Sequence, residues 1–262
     1  MALISPYEIR LLRPETTAGA GGQLVLLILL DVATGLSAVG WAAGVAFAVT
    51  TWALLTRARS LVPPKSFGPA NAVTLIRTTL VGGVTALVAE SFAGDPRITA
   101  LVSLTTVALL LDAVDGQVAR RTGTQSAFGA RFDMEADAFL ILILSVHVAA
   151  SLGAWVLLIG SMRYVFVAAA RPLPWLNGPL PPSGARKTVA VLQGVILLTA
   201  AADLLPLVAA RLLVLSALIS LIWSFGRDVR GLWYRRGHGR TRAARPHPRR
   251  ATPVEELPYE RV

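Results

Sequence analysis

The sequence predicts an all-α fold, a polytopic transmembrane helical bundle of six core spans preceded by an N-terminal two-span hairpin. Three observations predict it. First, 54% of the 262 residues are hydrophobic, well above the composition of a water-soluble domain. Second, the apolar residues gather into runs approaching the roughly 20 residues that cross a bilayer as a helix. These runs are too long and too uniform for the alternating strands of a membrane β-barrel. Third, the basic residues fall in alternate connections, as the positive-inside bias requires.

The segment 1–22 is polar and mixed, and its apolar run begins too late for a cleaved signal peptide. Residues 23–56 form the transmembrane hairpin, with spans at about 22–35 and 38–56 turning at Thr34-Gly35. Asp31 then lies near the turn as a wetted interfacial carboxylate. Residues 57–68 are a basic, proline-bearing connector. The membrane domain proper covers 69–226, with spans at about 71–91, 97–119, 127–150, 153–170, 187–203 and 206–225. Trp155, Trp175 and Trp223 fall near span ends, where aromatic belts sit. Residues 227–262 are rich in Arg, Pro and Gly and read as a disordered basic tail.

Arg57, Arg59, Lys65, Arg120, Arg121, Arg131, Arg171, Arg186, Lys187 and the tail all fall on one side of this arrangement. That side is cytosolic, which places both termini in the cytosol and the chain in the plasma membrane. The net charge of +10 is therefore read as topology, with no nucleic-acid partner. The absence of cysteine removes disulfides and zinc–thiolate sites.

Chemistry concentrates in LLLDAVDGQVARRTGTQSAFGARFDMEADAF, residues 109–139. Asp112 and Asp115 are three apart and share a helix face with Gly116 and Ala119. Gly129, Asp133 and Asp137 recur every four residues and make a second stripe. The polar turn between them lets the stripes face each other across a helical hairpin. Four carboxylates in a low-dielectric cleft need cations. Arg120 and Arg131 supply part of the charge, and divalent ions supply it better. All-oxygen ligands favour Mg²⁺, Mn²⁺ or Ca²⁺ over zinc, and two such ions about 4 Å apart suit phosphoryl chemistry.

The string D112-x2-D115-G116-x2-A119-R120-x8-G129-x3-D133-x3-D137 resembles the signature of the CDP-alcohol phosphatidyltransferase family at all eight fixed positions. The resemblance spans roughly residues 69–226 and implies phospholipid biosynthesis. A CDP-linked lipid donor such as CDP-diacylglycerol would give its phosphatidyl group to an alcohol, releasing CMP. It implies that Asp112, Asp115, Asp133 and Asp137 hold two Mg²⁺ or Mn²⁺ ions, with Asp137 also the general base. Gly116, Ala119, Arg120, Ser126 and Gly129 fall on the donor side. PANAVTLIR, residues 69–77, resembles the family's Asn-x-x-Thr-x-x-Arg helix start and adds Asn71 and Thr74, with Arg77 a weaker member. ARKTVAVLQ, residues 185–193, resembles the segment of relatives that use phosphorylated acceptors. Arg163, Arg171, Arg186 and Lys187 are the acceptor-side candidates, for a small alcohol or its phosphate. The alternative for these four is positive-inside anchoring, with side chains snorkelling to the interface; Arg163 is read as functional because a mid-span Arg needs a partner. Homodimerisation is implied by the resemblance alone.

Other function classes would leave different marks on the sequence. Diacylglycerol as acceptor for a CDP-linked small alcohol uses the same signature. A prenyltransferase would carry aspartate motifs on separate helices. A divalent-cation transporter would carry polar groups deep in several spans. A non-catalytic scaffold would lack part of the signature. His147 reads as a packed or water-bonded histidine, Glu135 as lying off the aspartate stripe, Glu90 and Asp203 as interfacial, and Gly82-Gly83 as a helix-packing notch.

Overall fold

The computed structural model describes residues 14–59, 69–122, 127–178 and 183–243. Side chains at 14–17, 58–59, 69–72, 113–122, 127–131 and 237–243 lie outside that description. Among the described residues there are eight α-helices and no strand. They are α1 (Pro14–Thr34), α2 (Ala38–Arg59), α3 (Pro69–Ala93), α4 (Ile98–Thr122), α5 (Ala127–Leu152), α6 (Leu157–Ala169), α7 (Gly184–Ala201) and α8 (Leu207–Ala243). Five of them (α2, α3, α5, α7 and α8) contain segments long and apolar enough to cross a membrane, and α1, α4 and α6 contain shorter apolar stretches. Together they make an integral membrane protein.

Each helix follows from an apolar run that must satisfy its own backbone where water is absent. Hydroxyls inside these runs fold back on the helix. Thr78 donates to the Thr74 carbonyl at 2.7 Å and Thr85 to the Val81 carbonyl at 2.8 Å. The breaks have local causes. Gly35 takes φ +67° after α1, and Asp31 Oδ1 accepts the Leu36 N–H at 2.9 Å. The interfacial Asp31 of the sequence is thus the cap of the α1–α2 turn. Gly153, at φ +112°, breaks the chain between α5 and α6. Asp203, at φ +53°, occupies the left-handed region after α7 that Asp tolerates better than most residues.

Helix α3 is the most buried span and packs against α1, α2, α4 and α5. Gly82 and Gly83 give the close approach: a methyl group at Gly83 would fall 2.8 Å from Leu26 on α1 and 2.7 Å from Leu104 on α4. Glu90, read from the sequence as interfacial, is only 5% exposed. It accepts hydrogen bonds from Ser37 N at 2.8 Å and Ser37 Oγ at 2.7 Å, so the tip of the α1–α2 hairpin is tied to the far end of α3. Helix α5 joins this half to α6, α7 and α8. A methyl group at Gly160 of α6 would fall 2.5 Å from Leu142 Cα on α5, so that crossing admits no side chain.

Helix α8 does not stop at residue 226. It continues through Ala243, into the segment whose composition reads as a disordered tail. Val229, Leu232 and Trp233 recur at helical spacing. Leu232 is buried with Leu176 and Ala170, and Val229 packs against them. The Trp175 and Trp233 rings meet edge-on at 5.4 Å. Arg236 stacks 5.4 Å from the Trp233 ring centre. The connector after α6 thereby grips the extension of α8.

Candidate active site

The first turns of α3 and α5 and the last turns of α4 meet at one end of the bundle. Arg77 stands two turns into α3 and is 1% exposed. Its guanidinium reaches three signature aspartates. Nη1 is hydrogen-bonded to Asp112 Oδ1. Nη2 donates to Asp137 Oδ1 at 2.7 Å. Nη2 also lies 2.7 Å from Asp133 Oδ1 as an ion pair, while its aligned hydrogen bond goes to the Asp133 carbonyl at 3.2 Å.

This convergence follows from spacing. Asp133 and Asp137 are one turn apart on α5 and share a face. Asp112 approaches from α4 across the hairpin. One carboxylate oxygen from each of Asp112, Asp133 and Asp137 falls within 4.8 Å of the others, a grouping that could hold a metal ion. The side chains are 33%, 32% and 44% exposed, so the carboxylates are open on one side. Arg77 closes the buried side. A hard divalent cation fits this all-oxygen set.

The expected donor-side residues divide by what is described. Thr74 is 6% exposed and stands one turn before Arg77 on α3. Asn71 lies on α3, Asp115, Gly116, Ala119 and Arg120 on α4, and Gly129 on α5, but their side chains are outside the described residues. Ser126 lies outside them altogether.

The acceptor-side candidates are dispersed. Arg163 pairs with Glu135, a residue placed off the aspartate stripe. The mid-span arginine thus has its partner one helix away. Arg186 Nε lies 3.5 Å from Asp228 Oδ2 on α8. Arg171 and Lys187 are exposed and form no ion pair among the described residues. His147 Nδ1 lies 3.2 Å from Ser91 Oγ on α3, away from the aspartates, as a packed histidine would.

The principal site residue that sequence reasoning undervalued is Arg77. Its place in the Asn-x-x-Thr-x-x-Arg stretch was the available signal, but that stretch does not identify the partners.

No curated protein and no solved structure matches the chain. A family model does, that of the CDP-alcohol phosphatidyltransferases, over residues 67–224. That match includes every signature aspartate and Arg77, and leaves out the α1–α2 hairpin and the end of α8. The chain belongs to the CDP-alcohol phosphatidyltransferase family.

Proposed function

We propose that the protein transfers a phosphatidyl group from CDP-diacylglycerol to the hydroxyl of a small alcohol or its phosphate, releasing CMP. The convergence of Asp112, Asp133 and Asp137 inside the family-matched region is the observation that carries this reading. Four aspartates, with Asp115 the fourth, would hold two Mg²⁺ or Mn²⁺ ions. Such ions offset charge on the pyrophosphate and on the leaving CMP oxygen.

The chain's own groups do the rest. Asp137, the most exposed of the three described aspartates, takes the acceptor hydroxyl proton as general base. The acceptor oxygen forms a bond to the lipid-proximal phosphorus, and the bond from that phosphorus to the CMP oxygen breaks. Asn71, Thr74, Gly116, Ala119, Arg120, Ser126 and Gly129 receive the CDP portion, Arg120 as a charged donor to phosphate oxygens. Small residues in this set let the nucleotide approach the helices closely. The site faces the cytosol of the plasma membrane, so acyl chains stay in lipid while CMP leaves into water.

Arg163, Arg171, Arg186 and Lys187 are the proposed acceptor-side cations. Arg163 and Arg186 already hold carboxylates, so a phosphorylated acceptor would displace Glu135 or Asp228. Arg171 and Lys187 carry no such competitor among the described residues.

The test is CMP release by purified protein in lipid–detergent micelles with CDP-diacylglycerol, Mg²⁺ or Mn²⁺ and an acceptor panel. The panel holds inositol phosphate, glycerol phosphate, inositol, serine and water alone. Release with one acceptor, lost in Asp137→Asn while donor binding persists, is the expected result. Release only with diacylglycerol and a CDP-linked small alcohol would reverse donor and acceptor. No release in either arrangement would remove the enzymatic reading and favour a scaffold or cation transporter.

A further inference from the structure

The position of Arg77 poses a physical problem. It is 1% exposed, yet it carries a full charge and three carboxylates surround it. A guanidinium at the cytidine or pyrophosphate would stand on the open side of the site. Arg77 stands on the closed side, behind the carboxylates, and reaches Oδ1 of Asp112, Asp133 and Asp137 from below. Three helices contribute to this one contact: α3 brings the cation, α4 and α5 the anions.

We infer that Arg77 is a built-in stand-in for the divalent ions: it holds the carboxylates together when no metal is bound, and its charge opposes metal binding once metal arrives. The inference rests on the proposed metal reading of the aspartates. Its basis is charge. Carboxylate oxygens within 4.8 Å of one another in a partly buried site repel strongly unless a cation lies among them. Counting Asp115, the signature aspartates contribute four negative charges, and Arg77 returns one, with Arg120 and Arg131 further cations of the same stretch. Among the described residues, Arg77 is the cation seated on these carboxylates. Two divalent ions would neutralise the aspartates on their own, and the buried Arg77 would then add a positive charge beside them.

Arg77 and the metal draw on the same carboxylates, so their effects are reciprocal. Removing the arginine charge destabilises the metal-free protein and tightens metal binding. A residue whose role was packing would lower stability with and without metal alike, and a residue that only oriented the ligands would weaken metal binding when removed.

The experiment uses the full chain in lipid–detergent micelles, with Mn²⁺ alone as probe. Thermal midpoints are measured in chelator and in saturating Mn²⁺, and the Mn²⁺ dissociation constant is measured by titration. In Arg77→Gln the midpoint should fall in chelator by several degrees, recover most of that fall in Mn²⁺, and the dissociation constant should tighten at least tenfold. The double variant Arg77→Gln with Asp112→Asn restores the wild-type site charge. Its midpoint in chelator should return toward wild type, and this arm decides the matter even if Arg77→Gln unfolds once stripped of metal. An unchanged or weakened dissociation constant in Arg77→Gln, or no recovery in the double variant, overturns the inference while leaving the metal site standing. Wild-type protein that binds no Mn²⁺ overturns both.

Discussion

Glu90 and Ser37 join the α1–α2 hairpin, which lies outside the family match, to the first helix within it. In Glu90→Ala, both hydrogen bonds to Oε2 vanish and the Ser37 N–H and hydroxyl lose their acceptor. A hydrogen bond contributes about 0.5–1.5 kcal/mol between neutral groups and about 1.5–3 kcal/mol to a charged one. Two bonds, with part of the loss returned by water at the helix end, give roughly 2–5 kcal/mol. At about 2–4 °C per kcal/mol for a chain of this size, the melting midpoint should fall by roughly 5–15 °C. Ser37→Ala keeps the backbone bond and should lose about half as much. Glu90→Gln keeps an acceptor oxygen with two lone pairs and should retain most of the stability. The assay is thermal unfolding in lipid–detergent micelles, followed by the helical circular dichroism signal. A Glu90→Ala midpoint within 1 °C or so of wild type would refute the tie, and a Gln variant as damaged as Ala would show that charge, not hydrogen bonding, carries it.

Three further outcomes follow from the packing and the ion pairs. Gly160→Val should part α5 from α6 and cost about 1–3 kcal/mol or more, read as a lower melting midpoint, because the added atoms meet the Leu142 backbone; an unchanged midpoint would contradict the close crossing. Arg163→Ala breaks the mid-span pair with Glu135 and should lower the melting midpoint; an unchanged midpoint would argue against a structural pair. If Arg163 serves the acceptor, the same variant should raise the KM for a phosphorylated alcohol and leave that for the CDP donor alone; equal values for both return it to the pair with Glu135. Leu232→Ala should loosen the extension of α8 from Leu176 and Ala170, exposing Arg235 and Arg236 to trypsin sooner than in wild type, with equal cleavage rates arguing against the grip.

The part of the site that local spacing encodes was legible in the sequence. Asp133 and Asp137 share a face because a helix has 3.6 residues per turn, and the string around them is long enough to point to a family. The part that depends on which helices become neighbours was not. Arg77 meets partners 35 and 60 positions away, and no periodicity within α3 names them. Glu90 sits near a helix end, where carboxylates are ordinarily wet, and only the docked hairpin turn makes it buried. A mid-span Arg163 needs a partner, but the sequence does not single out Glu135, which lies off the aspartate stripe. In the first part of the tail, residues 227–243, composition hides a helix: Val229, Leu232 and Trp233 carry it onto the connector after α6, while residues 244–262 lie outside the described residues.

The burial of Arg77 also bears on the order in which the protein is made. Arg77 belongs to α3, and the chain must emerge a further 35 residues before Asp112 exists and 60 before Asp137 does. At about 5–20 residues per second of synthesis, that is a wait of roughly 2–7 s for the first carboxylate and roughly 3–12 s for the last. During it, a helix carrying an unpartnered guanidinium stands at or near the bilayer, where such a charge is costly. The α1–α2 hairpin is already complete by then, and the Ser37–Glu90 tie is available as soon as α3 is finished. The hairpin outside the family match thus has its contact with α3 complete in sequence before either acidic helix has been made.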